Sequence, residues 1–321
     1  MRPVLINFSF NELICLSRDV VISRCSDAAE GVGTRGIYPM RITRTAALAA
    51  ASLLALSACR QSTTADNASA SENAGAPAAV AGSIDGTWKA DLSSVQIDQK
   101  PDQLLLKDGQ FSCPTCTPPL TIAADGAMHA VTGRPYADMM SIKVDDDHNI
   151  SRTSQKGGKT TGTTNYSVSA DGKTLTIKFS DSSVPNAKPV TGEYTETRVA
   201  DAPAGAHAVS GSWKLDKYNN VSDEGLTVTY KLVGDTLHVS TPGGISYDAK
   251  LDGSDTPIKG DIGGTTASVK KLDDGSYQET DKRGGKVISI ATFSTGADGK
   301  LHVVSEDKLA GSTIKYVADK Q

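Results

Sequence analysis

The chain repeats its own sequence once, and this repetition limits its possible folds more than any other feature. Its only two tryptophans open the similar segments Gly86-Thr87-Trp88-Lys89 and Gly211-Ser212-Trp213-Lys214. Solenoid repeats have periods of roughly 20–50 residues, so a longer period indicates a duplicated domain. We therefore predict two similar domains, at 83–200 and 208–319, joined by a linker at 201–207. Four further pairs of motifs support this duplication, each with an offset of 127 residues: Asp125-Gly126 with Asp252-Gly253, Val131-Thr132-Gly133 with Ile258-Lys259-Gly260, Lys156-Gly157-Gly158-Lys159 with Arg283-Gly284-Gly285-Lys286, and Asp171-Gly172-Lys173 with Asp298-Gly299-Lys300.

Turn residues and alternating side chains predict that each copy is built from β-strands. The segment Tyr166–Phe179 contains two alternating strands around an Asp-Gly turn, which is a strong hairpin signal. Such segments recur with turns at a spacing typical of barrels and sandwiches, about eight strands in each copy, and no long amphipathic helix is evident. The prediction is an all-β chain of two tandem antiparallel meander barrels. One continuous sandwich shared by both halves is the alternative.

The Gly-x-Trp motif on the opening strand of each copy resembles that of lipocalin-like (calycin) barrels. In that superfamily the tryptophan packs across the closed end of the barrel against a basic side chain from the last strand. The resemblance implies that Trp88 and Trp213 plug the two barrels, with Arg198 and Lys315 as the basic partners. It also implies a small apolar or amphipathic ligand inside the barrel. The chain is further similar to uncharacterised bacterial envelope proteins, a resemblance that implies no activity.

A secretory signal lies between Met40 and Cys59. Two arginines, Arg41 and Arg44, precede an uncharged Ala/Leu-rich stretch, and small residues then precede the cysteine. The ending Leu56-Ser57-Ala58-Cys59 resembles the lipobox of bacterial lipoproteins, which implies a diacylglycerol on the sulfur of Cys59 and cleavage before it. Residues 40–58 would then be the signal peptide, and 1–39 an over-extended gene start or a disordered leader. The alternative is a genuine N-terminal region with an internal hydrophobic helix.

Residues 59–82 predict a flexible tether behind the lipidated cysteine, because Ala, Ser, Asn and Gly bury too little surface to offset the entropy of ordering. The lipobox resemblance implies that this lipid anchor holds the protein in a bacterial cell envelope. Arg60 follows Cys59 in place of the Asp that retains enterobacterial lipoproteins at the inner membrane, which favours the outer membrane facing the periplasm. The net charge of −4 argues against nucleic acid as a partner.

Cys113 and Cys116 are the only cysteines left in the exported part of the chain. In an exported protein such a pair most simply forms a disulfide. Thioredoxin-like chemistry needs the first cysteine at the start of a helix, and Pro119 cannot continue a helix that starts at Cys113. A structural disulfide is therefore favoured over a redox or metal-binding role.

No other motif predicts catalysis, a cofactor or a metal site. The acidic run 145–149 lacks the ligand spacing of a calcium loop, and the five histidines are scattered without zinc-binding spacing. We therefore predict a non-catalytic, membrane-anchored envelope lipoprotein, for which the calycin resemblance implies a small hydrophobic ligand. The alternatives are a structural or protein-interaction module that contacts another envelope protein and, as a minority hypothesis, a periplasmic thiol redox protein.

Overall fold

The computed structural model describes residues 82–321. The predicted leader (1–39), signal peptide (40–58) and lipidated Cys59 lie outside the described residues. The all-β prediction is confirmed for residues 82–321. Each repeat has more strands than the eight expected, because several strands of only two or three residues also pair with their neighbours. The strands of the first repeat are β1 (Gly86–Ala90), β2 (Gln96–Asp98), β3 (Asp102–Lys107), β4 (Gln110–Cys113), β5 (Leu120–Ala123), β6 (His129–Ala130), β7 (Met139–Val144), β8 (Asn149–Lys156), β9 (Lys159–Val168), β10 (Thr174–Asp181) and β11 (Val190–Ala200).

The second repeat follows the same order of elements. A single short helix, α1 (Asp223–Leu226), connects its first two strands, and a 3-10 turn (Leu92–Ser94) lies at the corresponding place in the first repeat. The strands of the second repeat are β12 (Gly211–Val221), β13 (Thr227–Val233), β14 (Thr236–Ser240), β15 (Ser246–Lys250), β16 (Thr256–Pro257), β17 (Thr265–Lys271), β18 (Tyr277–Arg283), β19 (Lys286–Thr295), β20 (Leu301–Asp307) and β21 (Ser312–Lys320).

The predicted Asp-Gly hairpin shows why these segments form strands. β10 buries Leu175, Ile177 and Phe179 on one face and directs Thr and Lys side chains to the other, which is the two-residue period of a half-buried strand. β9 and β10 pair antiparallel, with Tyr166 opposite Ile177. The hairpin is therefore formed as the sequence indicated.

The strand pair before this hairpin is closed by two glycines. Gly157 and Gly158 have φ angles of 57° and 75°, and their counterparts Gly284 and Gly285 have 57° and 76°. A two-residue hairpin turn with positive φ at both central positions suits glycine, because side chains disfavour that conformation. Both Gly-Gly motifs are thus tight turns between strands.

The strands form two nearly closed antiparallel barrels, consistent with a lipocalin-like fold. Barrel 1 has the strand order β5-β4-β3-β12-β11-β10-β9-β8-β7-β6. Barrel 2 has the order β15-β14-β13-β1-β21-β20-β19-β18-β17-β16, with β2 also paired to β21. Backbone bridges join the two ends of each sheet, Asp125 to Lys143 in barrel 1 and Asp252 to Lys270 in barrel 2.

The two repeats exchange their first strands. β1 lies between β13 and β21 of the second repeat, and β12 lies between β3 and β11 of the first. The barrels therefore do not coincide with the sequence repeats 83–200 and 208–319, since each barrel is completed by a strand from the other repeat. All the described residues accordingly belong to one compact unit.

Candidate functional site in the barrel interiors

The closed end of barrel 1 is formed by Trp213 and Arg198. Trp213 is fully buried, and the guanidinium carbon of Arg198 lies 4.0 Å from the centre of its ring. Arg198 also donates hydrogen bonds to three backbone carbonyls, those of Gly172 (2.5 Å), Ser210 (2.5 Å) and Ala208 (2.7 Å). Arg198 therefore fastens the loop before β12 to the end of the barrel.

In barrel 2 the basic residue at the closed end is Lys320 and not the predicted Lys315. Lys320 lies opposite Trp88 across the strand pair, with its Nζ 5.4 Å from the ring centre. Lys315 is exposed, because its neighbours Ile314 and Tyr316 face inwards and alternate residues of a strand point to opposite faces. The strand exchange also changes the pairing, since Arg198 contacts the tryptophan of the other repeat.

Lys315 lines an open groove on the outside of barrel 2, with a volume of about 380 Å³. The other lining residues are Gln96, Ile97, Asp98 and Thr313, all from β2 and β21. Gln96, Asp98 and Lys315 are exposed to solvent. The groove therefore offers ordinary solvated polar groups.

Cys113 and Cys116 are joined by a disulfide. Cys113 is 1% exposed and Cys116 is 7% exposed, and both pack in the hydrophobic core. A redox-active thiol needs access to its partner and a neighbourhood that favours the thiolate. Because both sulfurs are buried in the hydrophobic core, the disulfide has a structural place in barrel 1 at the end of β4.

The histidines do not converge on a common site. Three of them pair with an aspartate: His129 with Asp125 (2.9 Å), His238 with Asp248 (2.7 Å) and His302 with Asp298 (3.0 Å). The acidic run 145–149 forms a turn in which the side chain of Asp146 accepts backbone N–H groups. Among residues 82–321 no group of three or more His, Cys, Asp or Glu side chains could hold a metal ion.

Arg152 is a buried cation that faces the interior of barrel 1. It lies on β8 between the inward-facing Ile150 and Ser154, and it is 5% exposed. Its Nη2 donates to Oγ1 of Thr164 at 2.9 Å, and its guanidinium carbon lies 5.9 Å from the centre of the Tyr166 ring. Within residues 82–321, no acidic side chain forms an ion pair with it. The guanidinium of Arg152 carries five N–H donors, and the hydroxyl of Thr164 accepts a hydrogen bond from one of its nitrogens.

Glu196 lies in the same interior, on β11, and is 3% exposed. Burial and the negative charge of Asp102 raise the pKa of this carboxyl well above its usual value. A carboxyl with a raised pKa keeps its proton to a higher pH and can then donate a hydrogen bond. Glu196 and Arg152 thus face the same interior of barrel 1.

Glu279 and Asp281 are two of the buried acids of barrel 2, and Asp307 on β20 is a third. Glu279 and Asp281 face inwards from β18, at 1% and 3% exposure. Ser289 donates a hydrogen bond to Asp281 at 2.8 Å, and the carboxyl of Glu279 is hydrogen-bonded with the side chains of Tyr247 and Asp281. Burial, and then the negative charge of Asp281, raise the pKa of Glu279 well above its usual value.

Arg152 and Glu279 occupy the same position in the two barrels. Each lies four residues before the first residue of the Gly-Gly turn motif, and the two are 127 residues apart. Their cross-strand neighbours correspond at the same offset, Ile142 and Thr164 in barrel 1, and Val269 and Ala291 in barrel 2. Neither residue stood out as a candidate in the sequence. The repeat offset, applied to the alternating strand before each turn, is the signal that could have found them.

A third cluster lies where the two barrels meet. Arg283 donates hydrogen bonds to the hydroxyls of Tyr136 (2.8 Å) and Thr265 (3.2 Å), and its guanidinium carbon lies 5.2 Å from the centre of the Tyr136 ring. Tyr136 is 5% exposed and packs closely on Gly263. This contact joins the loop before β7 to barrel 2.

No helix among residues 82–321 is long and apolar enough to cross a membrane. No protein-family model, curated protein or solved structure matches this chain significantly.

Proposed function

We propose that this chain is an exported, lipid-anchored envelope protein whose barrels hold small amphipathic ligands in their interiors. The observation that carries the proposal is a pair of buried ionisable groups at one equivalent position: Arg152, whose guanidinium donates to the hydroxyl of Thr164, and Glu279, whose pKa is raised by burial. Burying an ionisable group without a partner is costly, so buried charges in proteins are normally paired. A ligand that supplies an opposite charge would offset that cost.

The shape of the fold supports this proposal. A closed barrel of about eight strands is just wide enough to hold its own side chains or one small ligand, and both sheets here have at least ten strands. Their inner walls combine large apolar side chains with these polar groups. That combination suits an amphipathic molecule with an apolar body and one polar end.

The anchor belongs to the same proposal and rests on the sequence. Cys59, Leu56, Ser57 and Ala58 form the lipobox, outside the described residues. A tether of Ala, Ser and Gly residues would let the barrels stand off from the membrane surface. Ligand exchange with that membrane, in the periplasm, follows from the proposal.

The exchange of β1 and β12 favours a second candidate, a non-catalytic spacer or protein-interaction module. Strands shared between the barrels resist separation more strongly than a simple linker does, which suits a body that holds two envelope components at a fixed distance. This candidate leaves the buried charges Arg152 and Glu279 without a role.

Native mass spectrometry separates the two candidates. The mature protein is purified from envelopes in mild detergent, and its intact mass is measured under native and then denaturing conditions. A ligand-binding protein should carry one or two small adducts that are lost on denaturation and can be identified by extraction. A chain that carries no adduct and binds no amphipathic probe would support the spacer function.

A further inference from the structure

The loop 201–210, which precedes β12, covers the closed end of barrel 1. Val209 in this loop is fully buried, and its carbonyl accepts a hydrogen bond from the indole N–H of Trp213 at 2.8 Å. The backbone N–H of His207 donates to the carbonyl of Leu106 on β3 at 2.9 Å. The loop is therefore bonded both to the wall of the barrel and to the tryptophan that plugs it.

The side chain of His207 joins this loop to the turn 145–149. Its Nε2 lies 2.6 Å from the carbonyl oxygen of Asp146, and its Nδ1 lies 3.1 Å from the backbone nitrogen of Val209. A carbonyl oxygen only accepts, so Nε2 carries a proton, and a backbone N–H only donates, so Nδ1 carries none. We propose that His207 is an acid-sensitive latch: when its ring gains a second proton, the loop is released and the closed end of barrel 1 opens, whereas barrel 2 stays closed.

A second proton on the ring of His207 would break the contact with Val209. Nδ1 would then carry an N–H that points at the N–H of Val209, and a buried donor left without an acceptor is costly. In the released loop the ring binds the same proton without that loss. Because the released state binds more protons, the latched state loses stability as the pH falls. Histidine side chains change charge between about pH 5 and 8, which places the response in mild acid.

The other four histidines respond differently to a second proton. His129, His238 and His302 each lie against an aspartate carboxylate, so a positive ring strengthens the contact. His148, in the turn beside His207, donates from Nδ1 to a backbone carbonyl at 3.2 Å, and this bond survives protonation. Among residues 82–321, His207 is thus the histidine whose protonation costs a hydrogen bond.

The other titratable groups around the loop do not produce this response. Aspartate, lysine and arginine side chains ordinarily keep their charge between about pH 5 and 8. Inside the barrel, burial and the charge of Asp102 raise the pKa of Glu196, so ionisation of this carboxyl destabilises the barrel as the pH rises, which is the opposite trend. The charged and titratable side chains on the elements around His207 are Asp145, Asp146, Asp147 and His148 in the turn, Lys107 and Asp108 at the end of β3, Asp171 and Lys173 between β9 and β10, Arg198 on β11 and Asp201 in the loop itself.

Barrel 2 has a glycine at the place of the latch. Ile84 accepts the indole N–H of Trp88 at 2.7 Å, just as Val209 accepts that of Trp213. The residue two places before Ile84 is Gly82, whose carbonyl accepts a hydrogen bond from a threonine hydroxyl at 2.5 Å. Neither group in that contact changes charge with pH. The response is therefore confined to barrel 1, and Trp88 provides an internal reference for Trp213.

The two indole N–H groups allow the test to be made on the intact chain. Nuclear magnetic resonance of protein labelled with nitrogen-15 tryptophan gives one signal for each, assigned through contacts with Val209 and Ile84. Exchange of the Trp213 N–H with water, measured relative to that of Trp88 to remove effects common to both, should accelerate at least about 10-fold between about pH 7.5 and about pH 5, because a buried hydrogen bond is lost. His207→Gln keeps a neutral donor and should abolish the response. His148→Gln is the matched control and should preserve it.

A third variant and the parent itself keep the test decisive if His207→Gln folds poorly. His207→Lys carries a charge without an acceptor, so the Trp213 N–H should already exchange rapidly at neutral pH. Equal responses of the two tryptophans in the parent, or no response of either, would overturn the latch. A Trp213 response that persists in His207→Gln, or that His148→Gln removes, would overturn it as well. None of these outcomes bears on ligand binding, since they concern the loop and not the barrel interior.

Discussion

Arg198, near the end of the first repeat, stacks on the indole of Trp213, which opens the second repeat, with 4.0 Å between its guanidinium carbon and the ring centre. The two residues are directly opposite each other in the pair β11–β12. The corresponding contact in barrel 2, between Lys320 and Trp88, is longer at 5.4 Å. The two closed ends are therefore built on the same plan but are held with different strength.

Replacing Arg198 with Ala should lower the free energy of unfolding by about 2–4 kcal/mol, because three backbone carbonyls lose a charged donor. Lys320→Ala is the matched control and should cost less than about 1 kcal/mol, since its exposed ammonium contributes mainly a cation–π contact. Urea denaturation followed by circular dichroism measures both. Equal losses for the two variants would contradict the unequal strength of the two ends.

Cutting the linker should leave the two halves of the chain associated. A protease site placed within 201–207 separates the repeats covalently, yet β1 remains in barrel 2 and β12 in barrel 1. Pulling the halves apart would remove a central strand from each sheet. Size-exclusion chromatography of the cut protein should therefore show a single species of the uncut size, which divides only in denaturant. Elution as two separate halves under native conditions would refute the strand exchange.

Replacing Cys113 and Cys116 with Ser should destabilise the protein by no more than about 2–3 kcal/mol, because the disulfide closes only a short loop. Ligand binding should be unaffected. Chemical denaturation of the double variant and the parent gives the difference. In the parent, Cys113 and Cys116 should also resist alkylation in the absence of reductant. Ready interconversion with glutathione would instead favour the redox function.

Substituting Glu279 with Gln should stabilise the protein near neutral pH by about 1–3 kcal/mol. The pKa of Glu279 in the folded state is raised well above 4.5, so its stabilising contribution is complete below about that pH and is lost as the pH rises through the folded-state pKa. The advantage of the variant should therefore grow with pH and vanish near pH 4.5. The free energies of unfolding of the variant and the parent, measured from about pH 4.5 to neutral pH, show whether their difference grows with pH as expected. The exposed substitution Asp147→Asn should show no such trend.

Cys59→Ala should abolish membrane attachment. The parent, expressed in a bacterium with lipoprotein-processing enzymes, should begin at Cys59 and carry the mass of a diacylglycerol. Intact-mass analysis and detergent phase partitioning measure this, with Ser57→Ala as a conservative control that keeps a small residue before the cysteine. An unmodified parent chain that still begins at Met1 would end the lipoprotein proposal.

Much of the fold followed from local sequence. The period-two alternation in β10, with Leu175, Ile177 and Phe179 on one face, and the Asp-Gly and Gly-Gly turns specify hairpins without help from distant residues. The duplication and the two tryptophans then indicated two barrels with a plugged end. Strand alternation and turn motifs involve residues that are close together in the chain, so they can be recognised in the sequence itself.

The strand exchange could not be predicted in this way. β1 and β12 begin with almost the same residues, Gly-Thr-Trp-Lys and Gly-Ser-Trp-Lys, so either strand can fill either place. The choice depends on which connections cross between barrels. Segment 91–101 leads from barrel 2 to barrel 1, whereas the segment before β12 is held against barrel 1 by Arg198. The competition between β1 and β12 for a place in each barrel involves residues far apart in the chain, so no short sequence motif indicates its outcome.

Lys315 illustrates a different difficulty. The alternation of β21 was visible, but the length of the strand was not, and the basic residue opposite Trp88 lies at its far end as Lys320. Two residues of opposite charge at one repeated position, Arg152 and Glu279, were also missed, because charged side chains on a strand are usually assigned to its solvated face.

The reciprocal placement of β1 and β12 has a consequence for how this gene can change. In an ordinary tandem duplication, either copy can be deleted, or joined to a new neighbour, and the other still encodes a whole domain. Here the loss of either copy takes a central strand from the barrel that remains. A product of recombination within 201–210 would thus complete its barrel only if its own first strand moved into the vacated place, so that each half alone would pair its strands differently from the intact chain.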